Sequence, residues 1–379
     1  MCNQRVFRAA SHLLLTATAA LALGCGGDDS DAKPALDAGT VTTTGMVSAA
    51  DAGILPGSPT GMTTTMHGDA SVSMDEPTRP SSNARDPRLR AAPPPPACDT
   101  TGKIEQLFQH NGTVSGLALL GETLYFTTFE DGLYAMPKDG SVPPTKVINK
   151  YVEDVAVLGN LIYVSGPFYG ARFKPEQLAK AQIGEDVPLG SDLRTVNNAL
   201  YTWSVVGCRF TRFDEGGQQK SLDLPCSTDN VSEQGGTIFT AVNNDPDGIF
   251  SQPLAPANDS ADKATQIIAE EYIGSELVTT PKHVYFTKYE VSDYEYLMRA
   301  PLTGGTGEAL VGPLTPDLMV SDGNDIYLSD EGTSCLFRFD DTQTKLTPVA
   351  KVGFVEALAF DPQYIYVSTF GGVVGRIKR

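Results

Sequence analysis

The sequence has few of the residues, and none of the short motifs, on which enzyme active sites most often depend. It contains four histidines, and only His110 and His283 lie beyond residue 102. Neither belongs to a His-Glu-x-x-His spacing, and the chain has no Gly-x-Ser-x-Gly nucleophile motif and no phosphate-binding loop. We therefore expect both histidines to be ordinary surface or turn residues, with His283 in a turn between two strands.

Long hydrophobic runs are also absent, because no apolar stretch reaches the roughly 20 residues that a membrane-spanning helix needs. The uncharged stretch from Leu13 to Gly24 follows Arg5 and Arg8, which is the layout of a secretory signal peptide. At its end, Leu21-Ala22-Leu23-Gly24-Cys25 resembles the lipobox of bacterial lipoproteins. That resemblance implies that residues 1–24 are removed and that Cys25 carries a lipid anchor. The alternative is an ordinary secretory signal with an incidental cysteine.

Aromatic residues are scarce between residues 25 and 102, a stretch rich in Asp, Ala, Thr, Gly, Pro and Ser with four prolines at 93–96. Such a composition cannot bury enough apolar surface to offset its ordering entropy, so it predicts a disordered tether. We expect this tether to hold a folded domain of residues 103–379 away from a membrane. The expected location is the extracytoplasmic side of the cell envelope, at the outer membrane or cell surface.

Basic residues are outnumbered, with 28 Lys and Arg against 46 Asp and Glu and a formal net charge of −18. A strongly acidic protein repels phosphate backbones, so nucleic acid is excluded as an expected partner. The acidity also suits solubility alone, and we expect a monomer.

One short strand pattern recurs through the part of the chain beyond residue 102. Its seven copies are Leu124-Tyr125-Phe126, Ile162-Tyr163-Val164, Leu200-Tyr201-Thr202, Ile238-Phe239-Thr240, Val284-Tyr285-Phe286, Ile326-Tyr327-Leu328 and Ile365-Tyr366-Val367. Their spacing of about 40 residues is the blade period of propellers, and each unit has room for four short strands. The sequence therefore predicts an all-β protein, a β-propeller of seven four-stranded blades.

Two units carry a further signature, Gly132 to Gly140 and Leu297 to Gly305, in which the third strand contains a proline. Together with Val284 to Thr287 and Ile326 to Asp330, these segments resemble the YWTD-type propeller repeats of lipoprotein receptors and their bacterial relatives. Receptor members of that class have six blades, whereas the sequence has seven units, so no ligand-binding residue is carried over from them.

The last unit ends after its third strand, Val373 to Lys378, and so lacks a fourth. An unassigned strand pattern, Lys103 to Phe108, precedes the first unit. Since open sheet edges are a liability, we predict that this N-terminal strand completes the last blade and closes the ring.

Cysteine pairing follows from the assignments above, because Cys2 leaves with the signal peptide and Cys25 is assigned to lipid. Cys208 and Cys226 are equidistant from Gly217 in a predicted hairpin turn, which places them opposite each other at disulfide distance. Cys98 and Cys335 then pair by elimination. No Cys-x-x-Cys spacing exists, which argues against a zinc site.

Acidic side chains recur where the innermost strands begin, in six of the seven units. They are Asp154, Asp192, Asp229, Glu276, Asp317 and Glu356, with Glu153 and Asn230 beside two of them. In a propeller these positions surround one mouth of the central channel, where converging carboxylates attract a cation, with Ca²⁺ the candidate. The plainer interpretation is that Asp and Asn favour the turns before strands. The segment Asn243 to Gly248 imitates a calcium loop but has Leu254 where the loop needs Glu, so we interpret it as a turn.

Two functional classes remain from the sequence. The first is a tethered, non-enzymatic binding or scaffold module that presents its loops to a protein, peptide or glycan. The alternative is a metal-dependent propeller hydrolase or lyase, lactonase-like, with its site at the channel mouth. We expect the binding module, because only His110 could serve as a base near the mouth.

Overall fold

The chain is described by a computed structural model covering residues 86–98, 102–129, 131–167, 169–180, 182, 184–190, 192–196, 198–203, 209–225, 228–242, 246–254, 264–289, 294–323, 325–342 and 345–379. The signal peptide and Cys25 lie outside these residues, as do Cys208 and Cys226, so their predicted roles remain predictions. Within the described residues, no helix is both long enough and apolar enough to span a membrane.

Seven antiparallel sheets of four strands each form a β-propeller, as the period of the sequence predicts. From the innermost strand outwards, blade 1 has β2 (Val114–Leu120), β3 (Thr123–Thr128), β4 (Gly132–Pro137) and β5 (Thr145–Ile148); blade 2 has β6 (Asp154–Leu158), β7 (Leu161–Gly166), β8 (Tyr169–Phe173) and β9 (Glu185–Asp186); blade 3 has β10 (Asp192–Val196), β11 (Ala199–Trp203), β12 (Arg209–Asp214) and β13 (Gln219–Asp223).

The remaining four blades repeat this arrangement. Blade 4 has β14 (Thr228–Gln234), β15 (Thr237–Val242), β16 (Gly248–Pro253) and β17 (Thr265–Ala269); blade 5 has β18 (Ile273–Thr279), β19 (His283–Tyr289), β20 (Glu295–Pro301) and β21 (Glu308–Leu314); blade 6 has β22 (Pro316–Ser321), β23 (Ile326–Asp330), β24 (Cys335–Phe339) and β25 (Thr347–Lys351); blade 7 has β26 (Val355–Phe360), β27 (Tyr364–Thr369), β28 (Val373–Lys378) and, outermost, β1 (Glu105–Gln109). Two five-residue helices are α1 (Pro87–Ala91) and α2 (Pro175–Ala179).

Because every blade is an antiparallel meander, its connections fall on two faces of the ring. The loops that lead into the first strands and the turns between second and third strands lie together on what we call the front face. The turns between first and second strands, and between third and fourth strands, lie on the back face.

The predicted closure of the ring is confirmed. Strand β1 pairs antiparallel with β28, with Glu105 opposite Arg376 and Gln109 opposite Val373. Phe108 and Leu107 pack against the core of blades 7 and 1. The fourth strand of the last blade thus comes from the N-terminal side of the domain, and the otherwise open edge of β28 is paired.

The recurring aromatic residue occupies the same buried place in each blade. All seven are at most 5 % exposed, and they pack against the following blade, as in the ring pairs Tyr163–Phe213 at 5.5 Å, Tyr285–Phe339 at 5.2 Å and Tyr327–Phe360 at 5.0 Å. Burying such a side chain contributes roughly 1.5–3 kcal/mol or more. The period near forty residues is therefore visible in the sequence because each blade needs one large side chain at its junction.

A strap of residues 86–98 packs on the outside of the ring, which corrects the predicted tether boundary at residue 102. Leu89 of α1 is 2 % exposed and lies among core residues of blades 4 and 5. Gly312 of β21 donates its amide to the carbonyl of Pro93 at 3.0 Å, and Cys98 forms a disulfide with Cys335 of β24. The folded unit begins near Asp86, and the predicted pairing of Cys98 with Cys335 is present.

Candidate functional site

The predicted acidic residues lie towards the front face, each within the first four residues of a first strand. Two of them bind the backbone of the next blade. Asp154 accepts the amide of Leu193 at 3.0 Å, and Glu276 accepts the amide of Met319 at 2.6 Å. Because these carboxylates already accept backbone N–H groups, they act as links between blades 2 and 3 and between blades 5 and 6.

The other predicted positions have varied surroundings. Asp317 accepts a hydrogen bond from the hydroxyl of Ser329 at 3.3 Å. Asp192 and Glu356 are half-buried and take part in further interactions, and the side chain of Asp229 is outside the described residues. Asn230 donates to the carbonyl of Ser275 at 2.9 Å, which repeats the blade-to-blade link without a charge. Three of these polar residues, Asp154, Glu276 and Asn230, thus link neighbouring blades, and the predicted role of the acidic residues as a ligand rim stays a prediction.

The acidic residues of the front face do not form a cluster with metal-binding geometry among the described residues. In the part of the chain that the structure describes, no group of three or more His, Cys, Asp or Glu side chains is arranged to hold a metal ion. Asn243, Asn244 and Asp245 of the calcium-like segment lie outside the described residues.

The two histidines of the domain lie on opposite faces. His110 is in the loop from β1 to β2, where its ring contacts Phe108 and Tyr134 near the outer strands, and its Nδ1 accepts the amide of Gly112 at 3.0 Å. His283 begins β19 on the back face, and its Nδ1 is 2.6 Å from a carboxylate oxygen of Asp341. His110 therefore belongs to the junction of blades 7 and 1, and its ring contacts lie away from the channel mouth.

Exposed aromatic side chains distinguish the front face. Four large hydrophobic side chains are strongly exposed among the described residues, and three of them are on this face: Tyr272 at 45 %, Tyr294 at 51 % and Phe370 at 55 %. The fourth, Val142, is in a back-face turn. Exposed aromatic groups are characteristic of binding surfaces, since a large rigid ring supplies contact area at low entropic cost.

Tyr272 is also held in an unfavourable backbone conformation. Its φ is +61°, in the left-handed region that residues other than glycine rarely adopt. Its amide donates to a carboxylate oxygen of Asp247 at 3.2 Å, and its carbonyl accepts the amide of Tyr289 at 2.7 Å. The neighbouring blade and the adjacent turn thus fix the backbone from which this exposed ring projects.

Further aromatic pairs lie on the front face of blades 7, 1 and 2. Phe354 and Phe370 pack at 5.7 Å between ring centroids, and Phe129 packs edge-on against Tyr151 at 5.7 Å. Beside them, the ammonium group of Lys150 lies 4.4 Å from the centroid of the Tyr169 ring, a cation–π contact. The face therefore already holds one cation against an aromatic ring.

Sequence reasoning missed these aromatic side chains, although a signal was present. Phe129 and Phe370 each follow the second strand of a blade directly, and Phe354 and Tyr272 directly precede a first strand. An aromatic residue next to a strand suggests core. Only the strand bounds place these rings beyond the sheets, in loops.

No protein family and no curated protein matches the chain. Among solved structures, it is similar to a catalytically inactive virginiamycin B lyase from Staphylococcus aureus with quinupristin, at 12 % identity and a TM-score of 0.54, over 74 % of this chain and 99 % of the other. It is also similar to YCF48 bound to D1 peptide, at 13 % identity and a TM-score of 0.55, over 76 % and 98 % of the two chains. A third similarity is to the WD40 β-propeller domain of Doa1, at 15 % identity and a TM-score of 0.55, over 74 % and 98 %. At these identities the similarity establishes the fold alone, and that fold is the β-propeller.

Proposed function

We propose that the protein is a binding module of the cell envelope, tethered by a lipid on Cys25, whose front face contacts its partner. The observation that carries this proposal is the placement of Tyr272, Tyr294 and Phe370, the exposed aromatic side chains, on one face of the ring. Exposed rings of this kind form the centres of interfaces, where a few aromatic residues supply most of the binding free energy.

The partner class that fits is an extracytoplasmic protein, peptide or glycan. Aromatic faces pack against apolar side chains and cations, and the acidic character of the chain, with its net charge of −18, opposes nucleic acid. YCF48, a propeller of similar structure, is bound to a peptide. A propeller surface is thus suited to such a ligand, although the fold hosts many functions.

The proposal includes YWTD-type character for the repeats. Support comes from Asp330, the last residue of the Ile326 to Asp330 segment. Its carboxylate accepts the amide of Thr315 at 2.6 Å and the amide of Thr333 at 2.9 Å. The carboxylate of Asp330 therefore ties a front-face turn to the loop that leads into its own blade, which gives the last residue of this copy a structural role.

The test uses the full chain on arrays of peptides and glycans. The combined variant Tyr272→Ser/Tyr294→Ser/Phe370→Ser removes the exposed rings, and Val142→Ser is the matched control on the back face. We expect a ligand of the parent to bind the combined variant at least about tenfold more weakly, which is a loss of about 1.4 kcal/mol of binding free energy. Its affinity for the control should be unchanged.

Thermal melts check that the variants are folded, and little change is expected because all four side chains are exposed. Undiminished ligand binding by a folded combined variant would contradict the proposal. Loss of binding in the Val142→Ser control would contradict it too, since that variant leaves the front face intact.

A further inference from the structure

A triad of side chains repeats on one face of three blades, near the back of the ring. A tyrosine of the second strand, an arginine of the third and a glutamate of the fourth stand opposite one another in register. The triads are Tyr163, Arg172 and Glu185 in blade 2; Tyr285, Arg299 and Glu308 in blade 5; and Tyr366, Arg376 and Glu105 in blade 7.

The arginine of each triad is closely paired with its glutamate. Nitrogen to oxygen distances are 2.8 Å for Arg172, 2.7 Å for Arg299 and 2.7 Å for Arg376. In blades 2 and 7 the contact is bidentate, with two parallel N–H donors on one carboxylate. A planar guanidinium and a carboxylate match in this geometry, which makes it a specific recognition unit.

Blade 6 has the tyrosine and the arginine of the triad but not the glutamate. Tyr327 stands opposite Arg338, and Arg338 stands opposite Thr347. The Arg338 side chain is 47 % exposed, against 15–21 % for the three paired arginines. Asp325 approaches it to only 3.7 Å, beyond hydrogen-bond distance.

Blade 3 also lacks the glutamate, since Lys220 stands opposite Arg212, but there the next blade supplies an acid. Arg212 donates to the hydroxyl of Tyr201 at 3.0 Å, and that hydroxyl donates to Glu233 of blade 4. Glu233 stands opposite Ile238, the residue before the recurring aromatic residue of blade 4. The corresponding position in blade 7, opposite Ile365, is Phe360. The junction of blades 6 and 7 thus differs from the others in having an aromatic ring in that place.

A cavity of about 170 Å³ opens at this junction, lined by Tyr327, Arg338, Thr347, Lys378 and Arg379 among others. Arg379 donates to the hydroxyl of Tyr327 at 3.0 Å and pairs with Asp322. Three cationic side chains therefore line one small cavity in a protein whose net charge is −18, and because Asp322 offsets the charge of Arg379, the local positive charge comes from Arg338 and Lys378. This local charge is complementary to an anion.

We propose that this cavity binds a carboxylate of an external ligand. The carboxylate takes the place on Arg338 that glutamate has on Arg172, Arg299 and Arg376, and Lys378 adds a second positive charge. The site is on the back half of the junction and is independent of the front-face binding proposed above. Its ligand class is a small carboxylic acid or the terminal carboxylate of a peptide.

The probe is succinate, titrated into the full chain while arginine Nε–H signals are followed by NMR. We expect one arginine signal to shift saturably, and the shift to be lost in Arg338→Gln. Thr347→Glu supplies the missing glutamate of the triad from the protein itself and should also abolish the shift. This variant should stay folded, with a melting temperature at or above the parent's. Thr145→Glu is the matched control, because it adds the same charge opposite Ala135 in blade 1.

A peptide with a free C-terminus and its amidated twin distinguish the two ligand sources. Tighter binding of the free peptide than of succinate, with none by the amidated twin, identifies a peptide terminus; equal binding of peptide and succinate identifies a small acid. A saturable shift that persists in Thr347→Glu would overturn the proposal. So would the absence of any saturable shift with succinate at concentrations well above the millimolar range.

Discussion

Single side chains join neighbouring blades of this ring, and they do so at two levels. Towards the back, the seven recurring aromatic residues fill the junctions. At the front, Asp154 and Glu276 accept backbone amides of the following blade. Polar groups of this kind stabilise when paired, and their loss leaves a buried donor without a partner. Asp154 and Glu276 thus have a structural role as links between blades.

At this scale we expect Glu276→Ala to lower the free energy of unfolding by about 1–3 kcal/mol, because the amide of Met319 loses its acceptor. Glu276→Gln keeps an acceptor oxygen and should cost less. Urea unfolding measures the difference, and Glu271→Ala, at an exposed neighbour, is the control with an expected change within about 0.5 kcal/mol. An Ala variant as stable as the parent would disprove the link between blades 5 and 6.

Strand β1 has only five residues, yet it closes the ring. It pairs with β28 and brings Leu107 and Phe108 against the core of blades 7 and 1. Without it, a row of unpaired backbone groups would face solvent along β28, and such an edge is a template for association.

Deleting residues 103–109 should therefore lower the melting temperature and promote dimers or larger species. Light scattering and thermal melts measure the two effects. Deleting residues 60–66, the same number of residues within the predicted tether, is the control and should change neither. A monomer that melts like the parent after the first deletion would contradict the closure.

The strap is held by a cluster of opposite charges. Arg88 bonds both Asp86 and Glu270, and Lys288 lies 3.2 Å from Asp86 and also bonds Glu270. The hydrogen bond from Arg88 holds the pKa of Asp86 well below its ordinary value of 3.8. Burial alone would raise the pKa of Glu270, but Arg88 and Lys288 hold it below its ordinary value of 4.5.

Because both pKa values are lower in the folded protein, the cluster stabilises it fully above the ordinary values and loses its effect as pH falls through the folded ones. We expect Arg88→Gln to have a lower melting temperature than the parent at neutral pH. The difference in melting temperature should become smaller as the pH falls to about 3. Arg90→Gln, at an exposed residue of the same helix, should melt like the parent throughout. An Arg88→Gln difference that is constant with pH would contradict this account.

The sequence predicted β1 as part of the fold but did not predict the strap, and the two segments differ in how they are ordered. The aromatic residue of each blade is visible because its burial repeats every forty or so residues, and β1 is visible as an apolar strand without a partner. The strap has a proline-rich composition typical of disorder, and it is ordered by Leu89, Arg88 and Cys98 meeting the ring. Contacts of that kind leave no local pattern. For the same reason the sequence located the front carboxylates without their amide partners, and could not separate exposed Tyr272 or Phe370 from core aromatics.

The whole molecule combines a predicted signal peptide and tether with a closed ring whose two faces differ. We expect the tether to present the ring to the space outside the membrane, with its attachment made by lipid on Cys25. Several acyl chains at about 0.8 kcal/mol per buried methylene give stable attachment.

Cys25→Ser should then release the protein from the membrane fraction, while Cys2→Ser, in the predicted signal peptide, should leave it membrane-bound. Fractionation followed by immunoblotting measures both. A Cys25→Ser protein that stays with membranes as the parent does would show that the lipobox resemblance is misleading.

Photo-cross-linking in intact cells tests whether the front face is the surface that contacts the partner. A photoreactive amino acid is placed, one position at a time, at Tyr272, Phe370 and the back-face residue Val142. We expect a discrete cross-linked adduct from Tyr272 and from Phe370, and none from Val142. Adducts from Val142 alone, or equal adducts from both faces, would contradict it.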